Sequence, residues 1–129
     1  MTLQELTEYL KLRERLDRNE AILESLYTAA SPGAQVLTDM PRTPGTKDKV
    51  GNLAIEIADM EERNRHIKNE VSKLEKRINK FIDAVDDEHM RTVLRLRFIR
   101  CLTWSEVATV VGGNNTEVGI KSACYRFLL

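Results

Sequence analysis

The chain has 129 residues and a mass of 14.8 kDa, enough for one ordinary domain or two very small ones. Twenty Lys and Arg balance twenty Asp and Glu, and a composition 42% hydrophobic and 31% charged excludes both a disordered chain and a membrane protein. No apolar run nears the roughly 18 residues of a membrane span, no basic-then-apolar segment opens the chain, and Cys101 and Cys124 cannot make a disulfide framework, so a cytoplasmic location is expected.

The neutrality hides a division. Residues 1–90 carry 14 Lys and Arg against 18 Asp and Glu, a net charge of −4. Residues 91–129 carry six against two, a net charge of +4, and four of the seven aromatics (Phe98, Trp104, Tyr125, Phe127). Such asymmetry predicts two parts with different partners.

Thr2, Leu3, Gln4 and Glu5 form a capping box, in which the Thr hydroxyl accepts from an early helical amide while Glu5 reaches back. Nothing breaks the helix from there to about Ala30. Tyr9, Leu12, Leu16, Asn19, Leu23, Leu26 and Ala30 step by three and four residues, the seam of a heptad repeat. Ser31-Pro32-Gly33 stops it, and residues 31–47 hold all three prolines, which predicts a surface loop acting as a connector.

A second helix is predicted from Thr46 or Asp48, with the seam Val50, Leu53, Ile57, Met60, Asn64, Ile67, Val71, Leu74, Ile78, Phe81 and Val85. About 36 residues of helix would extend roughly 54 Å, and so long an apolar stripe must meet another. The first helix, folded back antiparallel, is the obvious partner. One register sets Asn19 opposite Asn64, with Leu16–Ile67, Leu12–Val71, Tyr9–Leu74, Leu23–Met60, Leu26–Ile57 and Ala30–Leu53 as further layers. Two polar residues meeting in a seam would fix that register at a cost in stability. The rod is either purely structural or a surface for dimerisation or partner docking. The second helix outruns the first, so Ile78, Phe81 and Val85 need cover from the C-terminal part or a second subunit.

Asp86-Asp87-Glu88 is an acidic start for a third helix, with Asp86 able to cap it, running to about Arg100. Arg91, Arg95, Arg97 and Arg100 interleave with its apolar residues. Thr103-Trp104-Ser105-Glu106 is a second capping box, opening a short helix to Val111. Gly112-Gly113 ends that helix, and Asn115 or Thr116 caps a last one. Two short helices across a glycine-bearing turn are the helix-turn-helix pattern. Val107, Ala108, Val111, Ile120, Ala123 or Cys124, and Phe127 would be buried. Thr116, Glu117, Lys121, Ser122 and Tyr125 would line the outer face of the last helix, placed for base edges and phosphates in a major groove. The amides at Thr103 and Thr116 open helix N-termini and suit phosphate.

The predicted fold class is therefore all-α: a long antiparallel helical hairpin, a coiled coil, over 1–85, then a small three-helix helix-turn-helix domain over 86–129. The segments "DKVGNLAIEIADMEE" (48–62) and "VLRLRFIRCLTWSEVATVVGGNNTEVGIKSACYRFL" (93–128), joined by a charged coil, resemble small phage and prophage proteins of Gram-positive bacteria. These are relatives of late-gene transcription activators of the RinA and ArpU type, whose C-terminal domain is similar to sigma-factor region four. The resemblance implies a DNA-binding regulator in a bacterial cytoplasm, with Asn115 to Tyr125 as the reading segment. Glu117 and Gly119 depart from it, standing where a strong binder would carry bases. The candidate DNA-binding residues are Thr103, Ser105, Asn114, Asn115, Thr116, Glu117, Lys121, Ser122, Tyr125 and Arg126.

Catalysis finds no pattern, so no enzyme activity, cofactor or metal is expected. His66 and His89 lack an i, i+4 partner and a nearby cysteine, and Gly112-Gly113 follows a helix without the lysine or third glycine of a phosphate loop. Cys101 and Cys124 read as buried structural thiols. Trp104 either stacks on a base or closes the small core. Two functions from different classes remain. One is a transcription regulator whose partner is double-stranded DNA, with RNA polymerase and a coiled-coil homodimer as further partners. The other is a protein-interaction factor that binds RNA polymerase or another host protein through the coil. No membrane partner is expected.

Overall fold

A computed structural model describes residues 1–31 and 53–129 of the chain. The expected loop 31–47, apart from Ser31, lies outside these residues. So do the expected start of the second helix and the Asp48-Lys49-Val50-Gly51 motif. The described residues are all-helical, without a strand. Helix α1 spans Leu3–Ala30, α2 Ala54–Asp83, α3 Glu88–Leu94, α4 Trp104–Val111 and α5 Glu117–Leu128. They divide into two compact units, one of Met1–Arg13 with Glu70–Leu129, the other of Glu14–Asn69.

In the Glu14–Asn69 unit the described residues lie on the two long helices, which pair with each other. Glu20 faces Lys68 at 3.5 Å, and the Tyr27 hydroxyl donates to Glu61, so pairs climb α1 as they descend α2. Two helices cover a seam thinly. Leu16 and Ile67 are buried, whereas Leu23, Leu26, Ile57 and Met60 are only half-buried. Asn64 is 4% exposed, and neither its amide oxygen nor its amide nitrogen has a hydrogen-bond partner. The hydrogen bond that an Asn19–Asn64 layer would supply is therefore absent; Asn19 remains half-exposed.

The other unit has a denser core because more elements converge on it. Leu6, Tyr9, Ile78, Ile82, Leu94, Phe98 and Val107 are sealed from solvent. The seam residues Val71, Ile78 and Val85 are buried here, and Phe81 is half-buried. Thr2 caps α1 as expected, accepting from the Glu5 amide at 3.2 Å. Glu5 does not complete the box; its carboxylate lies 3.6 Å from Arg77 on α2. The start of α3 also differs from expectation: Asp87, not Asp86, is the cap, accepting from the His89 amide at 3.0 Å. Helix α3 then widens into a π-turn over Arg95–Ile99, closed by the Arg100 amide on the Arg95 carbonyl at 3.0 Å. Cys101 follows in the left-handed region at φ 58°, which turns the chain sharply toward α4. It is exposed, contrary to the expectation of a buried thiol, while Cys124 is buried.

Two groups in this core are kept neutral. Burial, reinforced by the Glu75 carboxylate, pushes the Tyr9 phenol up to about 12, and burial pushes the Cys124 thiol up to about 11. The unfolded chain releases these protons at its ordinary values of 10.0 and 9.0, so the folded chain binds more protons in between. Their contribution is complete below about pH 9 and is lost as pH rises toward 12. Urea unfolding midpoints should fall across that window. The fall should be shallower in Tyr9→Phe and Cys124→Ala chains, and an unchanged slope in both would refute the assignment.

Candidate nucleic-acid interface

The C-terminal capping chemistry forms as the sequence implies. Thr103 Oγ1 accepts from the Glu106 amide at 3.2 Å, and the Glu106 carboxylate accepts from the Thr103 amide at 3.1 Å. The bond from the Thr103 backbone holds the Glu106 carboxyl below its ordinary range, so the acid is ionised. The consequence for anion binding is direct: the Thr103 amide is already given to a carboxylate of its own helix. Thr103 and Ser105 remain exposed.

Gly112 and Gly113, at φ 71° and 66°, make the turn out of α4 in a region that L side chains resist. Asn115 spans that turn, its amide nitrogen donating to the Gly112 carbonyl at 2.8 Å. It therefore has one amide donor already committed. Asn114 is exposed and makes no side-chain hydrogen bond within the described residues. Thr116, rather than Asn115, caps α5, its hydroxyl accepting from the Gly119 amide at 3.0 Å. A Cβ on Gly119 would stand 2.9 Å from that hydroxyl. This close approach accounts for a glycine where a base was looked for.

Helix α5 has two different faces. Ile120 and Cys124 are buried, and α5 packs against both α4 and α3. Glu117, Val118, Lys121, Ser122 and Arg126 are exposed. Lys121 Nζ lies 5.7 Å from the Tyr125 ring centre, and neither Lys121 nor Glu117 has an ion-pair partner among the described residues. Tyr125 is half-buried and meets Trp104 edge-on, with centroids 6.0 Å apart. Trp104 itself is buried, so it closes the core.

The six bases of this end do not count equally. Arg91 donates to the Val85 carbonyl at 3.2 Å and Arg95 contacts Asp83 at 2.6 Å. Arg97 donates to the Leu102 carbonyl at 2.8 Å and lies over the Trp104 ring. Those three are engaged within the protein, Arg95 through an exposed ion pair and the other two through backbone carbonyls. Arg100, Lys121 and Arg126 are exposed, Arg126 making only a long 3.5 Å contact to the Ser122 carbonyl. Phe127, expected in the core, is instead 45% exposed, and Val110 and Val118, for which the sequence suggests no role, are 62% and 74% exposed.

No His, Cys, Asp or Glu cluster able to hold a metal occurs among the described residues, and no described helix is long and apolar enough to cross a membrane. Comparison with family models, curated proteins and solved structures gives no match to this chain.

Proposed function

We propose that the chain is a phage or prophage DNA-binding transcription regulator of the late-gene activator kind. In this reading residues 86–129 form a sigma-region-four-like helix-turn-helix, with α5 entering the major groove. Residues 1–85 form an antiparallel coiled-coil hairpin that can join two heads. The observation that carries the reading is the outer face of α5. Glu117, Val118, Lys121 and Ser122 all stand free in solvent, on a helix whose other face is fixed by Ile120 and Cys124. Polar side chains on a rigidly held helix are what base reading requires.

Selection from random duplexes with the full chain should enrich a sequence. Three free bases per head predict a salt dependence with a log–log slope of about −2.7 per head, shallow for a specific binder. Replacing Lys121 and Ser122 together by Ala should cost about tenfold or more in affinity for the enriched duplex, at unchanged thermal stability. Failure to enrich any sequence would overturn the reading.

A second reading has its own observation. Ile22, Tyr27 and Ile55 in the Glu14–Asn69 unit are exposed apolar side chains, Ile55 at 75%. They favour a protein-interaction factor that binds RNA polymerase or another host protein through the coil. Under that reading the Lys121/Ser122 variant stays fully active.

A further inference from the structure

Val118 is the outlier on the face of α5. It is 74% exposed, in the first turn of the helix, between Glu117 and the Lys121–Ser122 pair of the following turn. Folding gives it no task. It is absent from the core, and a β-branched residue on an open helical face is a poorer helix former than Ala, Gln or Lys. An apolar side chain set among polar ones suits a surface that is itself apolar at one point and polar around it.

The major groove offers such a point: the C5 methyl of thymine, which is apolar beside hydrogen-bonding base edges. We infer that Val118 reads a thymine methyl in the target of α5, an inference that rests on the DNA-binding reading above. Glu117, one residue earlier and free of any cation among the described residues, accepts from the exocyclic amino group of a neighbouring cytosine or adenine. Its charge opposes phosphate, so the carboxylate gains only where a base donor meets it. The pair converts a weakly basic helix into a selective one.

The test uses the full chain and its selected duplex. Each thymine is replaced in turn by deoxyuridine, which removes the methyl and leaves every hydrogen bond. At one thymine the replacement should weaken binding by about fourfold, the value of one buried methyl. Val118→Ala should weaken binding to the thymine duplex by a similar factor and abolish the difference between thymine and deoxyuridine there. Val118→Thr, which keeps a methyl, should retain that difference. Neither variant should melt below the parent in circular dichroism, because the position is exposed and Ala is the better helix former.

Three results would overturn the inference. One is a parent chain that binds its selected duplex but ignores deoxyuridine at every thymine. Another is a Val118→Ala chain that keeps the full methyl sensitivity. Either leaves the DNA-binding reading standing and frees Val118 for a protein surface. Enrichment of no sequence at all removes both together.

Discussion

Trp104→Ala should lower the free energy of unfolding by about 3–5 kcal/mol. Three contacts converge on this indole. Phe98 meets it edge-on at 6.5 Å, Tyr125 meets it edge-on at 6.0 Å, and the Arg97 guanidinium sits 5.0 Å from its ring centre. Truncation removes all three and leaves a cavity. It also strips the aromatic cover from Arg97, whose Nε is buried without a hydrogen-bond partner. Trp104→Phe should cost less, because a smaller ring still fills part of the space. Chemical unfolding must be followed by circular dichroism, since Trp104 is the only tryptophan. The functional consequence follows through Tyr125. That residue lies on α5, so losing its aromatic neighbour loosens the helix proposed to read DNA. A Trp104→Ala chain as stable as its parent would mean that the indole does not close the core.

Local chemistry was legible in the sequence where one residue does one job. The Thr103–Glu106 box, the left-handed Gly112-Gly113 pair and the Thr116 cap follow from side chains acting within a turn of themselves. Asp86 and Asp87 show the limit of that reasoning. Both have a carboxylate able to cap, and backbone geometry selects Asp87. The π-turn was illegible for a different reason: Arg95–Ile99 has no breaker, and widening requires only that the Arg100 amide bond one carbonyl further back. Leu6 and Ile82 escaped the three-four seam although both are sealed. A seam describes contact with one neighbour, and a helix packed in a larger core buries a wider stripe.

Charge misled in a more instructive way. Counting bases gives the C-terminal segment a modest net charge of +4, but counting says nothing of what each base is doing. Arg91 and Arg97 serve carbonyl groups, and Arg95 serves a carboxylate. A sequence reader could have suspected this from their interleaving with the apolar residues of a helix. Long side chains there lie along the core and return their donors to nearby backbone. Affinity for phosphate then falls to three residues, and selectivity must come from the α5 face.

Asn64→Val should act in the opposite direction, raising the free energy of unfolding by about 1–3 kcal/mol. The seam positions spaced by seven residues around it are Ile57, Val71, Ile78 and Val85, all β-branched, and Asn64 alone breaks that series. Its amide is shut away from solvent with both polar atoms unpartnered, so folding strips its water and returns nothing. Valine has nearly the same volume, which avoids both cavity and overpacking. Asn64→Asp should do the reverse, since an isolated carboxylate at that depth is costlier than an amide. A polar residue held at such cost is expected to limit how the helices associate, because a fully apolar seam tolerates more registers and larger bundles. Light scattering should therefore find the valine chain more prone to higher oligomers than its parent, while urea unfolding finds it more stable. A loss of stability in Asn64→Val would overturn the account. The amide would then have a partner in solution, and a mass falling from dimer to monomer on substitution would identify that partner as a second copy of the chain.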